Sequence, residues 1–201
     1  MTTSPFAARA TGPRARQVDV SWVLPNLAVG GRFATHAIGH LVHDLGIRGV
    51  VDLRCEDKDD EHLLRQHNVD LLHLPTLDGS AVDTELLHRG VTWINRQLER
   101  HEKVLIHCEH GIGRSALLAC CVLVSRGGTP RLAIERVKAA RARVAPSPEQ
   151  LRALLEWTEE WCRRQHTPTP PDTFAELSAV AYSHLNRRPA AVADPRRWFT
   201  F

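Results

Sequence analysis

The 201-residue chain has no stretch of about 18 consecutive apolar residues, which excludes a membrane-spanning helix. Lysine occurs only at Lys58, Lys103 and Lys138, so most of the basic charge is arginine. The formal net charge is only +3, and this mild excess gives no case for a nucleic-acid partner, which would need a clustered basic face. The five cysteines (Cys55, Cys108, Cys120, Cys121 and Cys162) are odd in number and lack framework spacing. That argues against a disulfide-stapled secreted domain and for a reduced, cytoplasmic protein in which one thiol is reactive. The N-terminus lacks the apolar core of a secretory signal. Residues 1–17 are rich in Thr, Ala, Pro and Arg and read as a disordered leader; Arg9, Arg14 and Arg16 without an acid also fit a transit peptide.

What is present is an alternation of short apolar runs and helical patterns. Val18–Val23 and Leu27–Val29 predict two strands, and residues 34–45 carry Ile38, Leu41, Val42 and Leu45 at helical spacing before Gly46. Buried strands are expected at residues 49–53, 69–74 and 103–107, with helices at 58–67, 84–100 and 116–125. Thr129-Pro130 and Ser147-Pro148-Glu149-Gln150 open two more helices, the second with the makings of a capping box. This pattern predicts an α/β fold, a three-layer sandwich with a mostly parallel central sheet flanked by helices, over residues 18–166. Residues 167–201 read as a Pro-containing linker, one helix within 173–186 and a loose tail.

The chemistry concentrates where the third buried strand runs into His107-Cys108-Glu109-His110-Gly111-Ile112-Gly113-Arg114-Ser115. A sharp strand-to-helix turn needs backbone freedom, which Gly111 and Gly113 supply. Such a turn brings successive amides of residues 109–113 and a helix N-terminus to one point, an anion site. Arg114 adds a fork able to hold two phosphate oxygens. A cysteine at the base of the cradle is in an electropositive setting that favours the nucleophilic thiolate. Attack on a bound phosphoryl group would give a phosphocysteine that water then clears. Ser115 is placed to donate to the departing sulfur, and His107 to brace the loop through backbone carbonyls. The leaving oxygen needs a proton, and Asp78, just after a strand end, is the candidate general acid. Its rival Asp83 precedes a helix and reads better as an N-cap.

The segment His-Cys-x-x-Gly-x-x-Arg-Ser at 107–115 resembles the signature of the protein tyrosine phosphatase superfamily. Leu74-Pro75-Thr76-Leu77-Asp78, Leu27-Ala28-Val29-Gly30-Gly31 and the absence of a Trp-Pro-Asp triplet resemble its dual-specificity branch, and Ala145–Gln150 fits that branch's late loop. The likeness spans about residues 20–165. It implies Cys108 as nucleophile, Arg114 as phosphate clamp, Ser115 as partner of the leaving thiolate and Asp78 as acid, with no metal or cofactor. It implies phosphorylated protein or a small phosphate ester as substrate, with phosphate, sulfate or vanadate as site ligands.

Glu109, His110 and Ile112 put no Lys or Arg on the cradle floor, which favours phosphoprotein over inositol phosphates. A phosphate-binding pseudophosphatase would need no nucleophile. Cys120 and Cys121 read as core residues. Cys55 follows a strand end, and a reversible disulfide from there to Cys108 would shield the nucleophile from over-oxidation. His36, His40 and His43 share helical spacing, read as a solvated face rather than a zinc site. The run Glu56–Glu61 reads as a solvated loop and helix start, and Arg54 as a weak substrate contact at the rim.

Overall fold

The computed structural model describes residues 18–185, so the leader and the end of the tail lie outside the described residues. A five-stranded sheet forms the centre, in the order β1-β2-β5-β3-β4, with β1 Val20–Leu24, β2 Leu27–Gly30, β3 Ile47–Arg54, β4 Asp70–Thr76 and β5 Lys103–His107. Only β1 runs antiparallel, hairpinned onto β2; the remaining pairs are parallel. Central β5 is apolar without alternation, as a strand covered on both faces must be. One face carries α2 Thr84–Glu99, α3 Arg114–Ser125, α4 Pro130–Ala140 and α5 Pro148–Gln165. The other is covered by α1 Glu61–Gln66 and two short turns around Ile38, Leu41 and Val42. The three-layer mostly parallel sandwich expected from the sequence is therefore found.

Two elements differ from expectation. The predicted helix over 34–45 is a 3-10 turn, Thr35–Ala37, followed by a π turn, His40–Asp44, with Gly39 at the join. Glycine weakens a regular helix there, while the same apolar residues still face the sheet. Helix α6, Phe174–Ala181, buries Leu177 and Ala181 in the main core. Tyr182 Oη donates to Pro146 O at 2.7 Å, and Lys138 Nζ bridges Val144 O and Ala181 O at 2.7 and 2.6 Å. The folded body thus continues past the Pro-containing segment.

Candidate active site

Parallel strands deliver their C-terminal ends to one edge of the sheet, and the 108–113 loop lies there between β5 and α3. Its carbonyls are pinned outward one after another. Glu109 O accepts from Arg32 N at 3.0 Å, and His110 O from Arg141 Nη2 at 2.9 Å. Gly111 O accepts from Arg141 Nε at 2.7 Å, and Ile112 O from Ala145 N at 3.2 Å. In a trans peptide the C=O and the following N–H point in opposite directions. Four outward carbonyls therefore turn the amides of His110, Gly111, Ile112 and Gly113 the other way. The Gly111 amide reaches Cys108 Sγ at 3.3 Å. Gly111 has φ +66, and a Cβ there would sit 2.4 Å from Gly30 O, so no other residue fits without movement. Helix α3 has no side-chain cap, which leaves its first amides available at the same point.

Cys108 is buried, with Ser115 Oγ 3.4 Å from its sulfur. Arg114 is wholly buried. Its Nη1 donates to Glu56 Oε2 at 2.9 Å, Thr76 O at 2.8 Å and Leu53 O at 3.4 Å. Its Nη2 lies 2.8 Å from Glu56 Oε1 and 3.0 Å from Asp78 Oδ1. The fork that the sequence assigned to two phosphate oxygens is thus held by Glu56, and Nε, buried, has no partner among the described residues. Hydrogen bonding to Arg114 pulls the Glu56 carboxyl down to about 2. Burial opposes the charge on Arg114, yet the Glu56 bond leaves the guanidinium more firmly protonated than usual.

The acidic run after β3 is a correction to the sequence-based expectation. It is not merely a solvated loop: Glu56 holds Arg114, Asp57 and Asp59 hold Arg54, and Asp60 caps α1. Arg54 is likewise not at the rim. It is buried, bonded from Nε and Nη2 to both oxygens of Asp52 at 3.0 and 2.9 Å. His107 braces the loop through a carboxylate instead of backbone carbonyls, with Nε2 2.7 Å from Asp59 Oδ2 and its ring against Phe33. Asp52, Asp59 and His107 converge closely enough to hold a cation, but the Arg54 guanidinium already bonds both carboxylates.

Asp78 and Asp83 separate by geometry. Asp78 sits beside Arg114, whereas Asp83 caps α2 by accepting from the amides of Glu85 and Leu86. The Asp78 loop is tied to α5, since Ser147 Oγ donates to Gly79 O at 2.8 Å and Gln150 Nε2 to Ser80 O at 2.9 Å. Glu109 pairs with Arg32, His110 is exposed and Ile112 half-buried at the mouth. Cys55 is exposed and free, its sulfur 3.6 Å from Glu56 Oε2. Burial pushes the Cys120 and Cys121 thiols up, as inert core residues. His36, His40 and His43 fall on two separate turns, and His40 pairs with Asp44. Sequence reasoning missed Glu56, Asp59, Asp19 and Arg141. Asp19 accepts from Arg141 Nη1 and Nη2 at 2.7 and 2.5 Å and also holds Arg143; the Arg141 bond keeps its carboxyl below the usual range.

The family model described as dual specificity phosphatase, catalytic domain, matches residues 32–160. The chain belongs to this family. Among curated proteins it is 30% identical over 118 residues to phosphatidylglycerophosphate phosphatase PTPMT1 of Arabidopsis thaliana, covering 57% of this chain and 35% of that protein. It is 29% identical over 68 residues to the dual specificity protein phosphatase OPG106 of Vaccinia virus, covering 33% of this chain and 40% of that protein. The chain thus spans well under half the length of these two relatives. A crystal structure of PTPMT1 with PI(5)P shares the fold, with a TM-score of 0.69 at 24% identity over 73% of this chain and 98% of that one. The resemblance to the dual-specificity branch of the protein tyrosine phosphatase superfamily is therefore borne out for the domain, and α6 lies beyond the matched residues.

Proposed function

We propose that this chain hydrolyses phosphomonoesters through a phosphocysteine on Cys108. The observation that carries the proposal is the set of inward amides and the Arg114 Nε, unpartnered among the described residues, around one buried sulfur. A phosphoryl group in that cradle meets amides, the Nε–H and the α3 N-terminus, groups placed where charge develops in the transition state. Cys108 Sγ forms the bond to phosphorus as the ester oxygen departs with a proton from Asp78. Water activated by Asp78 then breaks the S–P bond, and Ser115 Oγ donates to the sulfur as it leaves. A phosphate oxygen at the Nε edge of Arg114 competes with Asp78 for Nη2, so binding releases the acid toward the leaving group. Amides and guanidinium supply the positive charge, so the scheme needs no metal ion.

One feature of the rim supports a phosphoprotein substrate. Asp78 and Leu77 are 69% and 68% exposed, which makes one wall of the mouth low and suits phosphoserine, phosphothreonine and phosphotyrosine of a protein alike. A second reading, a small or lipid phosphate ester, is supported by the 30% identity over 118 residues to phosphatidylglycerophosphate phosphatase PTPMT1. A cleft of about 500 Å³ at the same edge is lined by Arg32, Arg54 and Lys58 together with Asp57, Asp59 and Asp60, and its cations are already paired with acids, so it adds no free positive charge beyond the cradle floor. Metal-free hydrolysis of p-nitrophenyl phosphate, inhibited by vanadate, is expected, and Cys108→Ser is expected to lose it entirely. Turnover surviving in that variant rules the scheme out. Phosphopeptides set against phosphatidylglycerophosphate and inositol phosphates decide between the substrate classes.

A further inference from the structure

Arg141 is buried, and each of its five N–H groups has a partner at hydrogen-bond distance. Nε–H goes to Gly111 O, and Nη2 is shared between His110 O and Asp19 Oδ2. Nη1 is shared between Asp19 Oδ1 and Ser21 Oγ. None of these groups touches the reacting atoms, and all lie on the back of the loop. Two of the four outward carbonyls are therefore held by this side chain, Gly111 O at 2.7 Å and His110 O at 2.9 Å, with Arg143 Nη2 adding a longer bond of 3.2 Å to His110 O.

Building on the phosphatase reading above, we propose that Arg141, fixed in place by Asp19, is the positioning residue that aims the Gly111 and Ile112 amides into the phosphate cradle. The geometry leaves little choice. The His110–Gly111 peptide has its C=O on Arg141 and its N–H on Cys108 Sγ, so rotating that carbonyl inward takes the amide off the sulfur. The next peptide has its C=O on Arg141 Nε, which turns the Ile112 amide the same way. Gly111 lacks the Cβ that would otherwise resist a peptide flip, so the loop's own sterics do not hold these planes. Asp19 reaches Arg141 because β1 pairs with β2 in antiparallel register, Val20 opposite Gly30, which sets the start of β1 beside the loop. Its two oxygens take one N–H from each terminal nitrogen and fix the plane of the guanidinium.

The test uses the full chain and compares vanadate inhibition, kcat and KM for p-nitrophenyl phosphate, and melting temperature. Arg141→Met is expected to lower kcat roughly a hundredfold, the scale of a lost oxyanion donor, and to weaken vanadate inhibition at least tenfold. Asp19→Asn, the milder variant should Arg141→Met fail to fold, is expected to weaken vanadate about threefold to tenfold with the fold intact. Arg141→Lys, with one compact head in place of the fork, is expected to fall between the unaltered protein and Arg141→Met. A purely structural role would lower the melting temperature and leave the vanadate constant of the folded protein unchanged, and that result overturns the proposal. If the unaltered protein neither hydrolyses the ester nor binds vanadate, the phosphatase reading fails and takes this inference with it. Vanadate binding that is equal in all variants defeats the inference alone.

Discussion

Glu56→Gln isolates the ion pair that holds the phosphate-facing arginine. Glu56 binds Arg114 through both oxygens at 2.8 and 2.9 Å, and this pulls its carboxyl from 4.5 to about 2. At 1.36 kcal/mol per decade, that drop has a ceiling of about 3.4 kcal/mol. The Glu56 side chain is 40% exposed, so solvent screening reduces the figure to about 1–2 kcal/mol. In a chain of this size such a loss lowers the melting temperature by about 2–8 °C at pH 7. The sign with pH follows from the direction of the shift. A depressed carboxylate stabilises fully above its unfolded value of 4.5, and the contribution fades as the pH falls through about 2. The gap between unaltered protein and Glu56→Gln should therefore be full at pH 7 and narrow steadily between about pH 4.5 and 2. Scanning calorimetry across that range measures it. Equal melting temperatures at pH 7, or a gap that stays constant into acid, would refute the reasoning.

Three further outcomes are expected. Asp78→Asn should slow esters with poor leaving groups about 10²–10⁴-fold while melting as before, as expected for a lost proton donor. Asp83→Ala should show the reverse, unchanged kcat with about 0.5–2 kcal/mol lost from the α2 cap, read from urea denaturation. Tyr182→Phe removes the bond from α6 to Pro146 O and should cost about 0.5–1.5 kcal/mol in the same assay at constant m-value.

The local parts of the site were legible in the sequence, because their signals are contiguous. A strand, a cysteine, two glycines, an arginine and a helix follow one another at 103–125, and the cap at Asp83 is set by its immediate neighbours. Pairings across the chain were not. Glu56 and Arg114 are 58 positions apart, and Asp19 and Arg141 are 122 apart. Which charges meet depends on which strand ends share an edge, and so on the strand order. With β3 beside β5, the acids that follow Arg54 leave the sheet next to Cys108, and a run that looks solvated in the sequence becomes the ion-pairing shell of the site. The signal was present as an excess of acid right after a buried strand, but periodicity carries no information on neighbours. Helix periodicity over 34–45 likewise identified the buried residues but could not distinguish α-helix from the 3-10 and π turns that present them.

The central claim is that phosphorus is transferred to one sulfur, and covalent trapping tests it most directly. Asp78→Asn protein mixed with p-nitrophenyl phosphate, quenched in acid within milliseconds and digested, should show a phosphoryl group on the peptide containing Cys108, because the impaired second step lets the intermediate accumulate. Burst kinetics with that peptide unmodified, or the label found on another residue, would contradict the account.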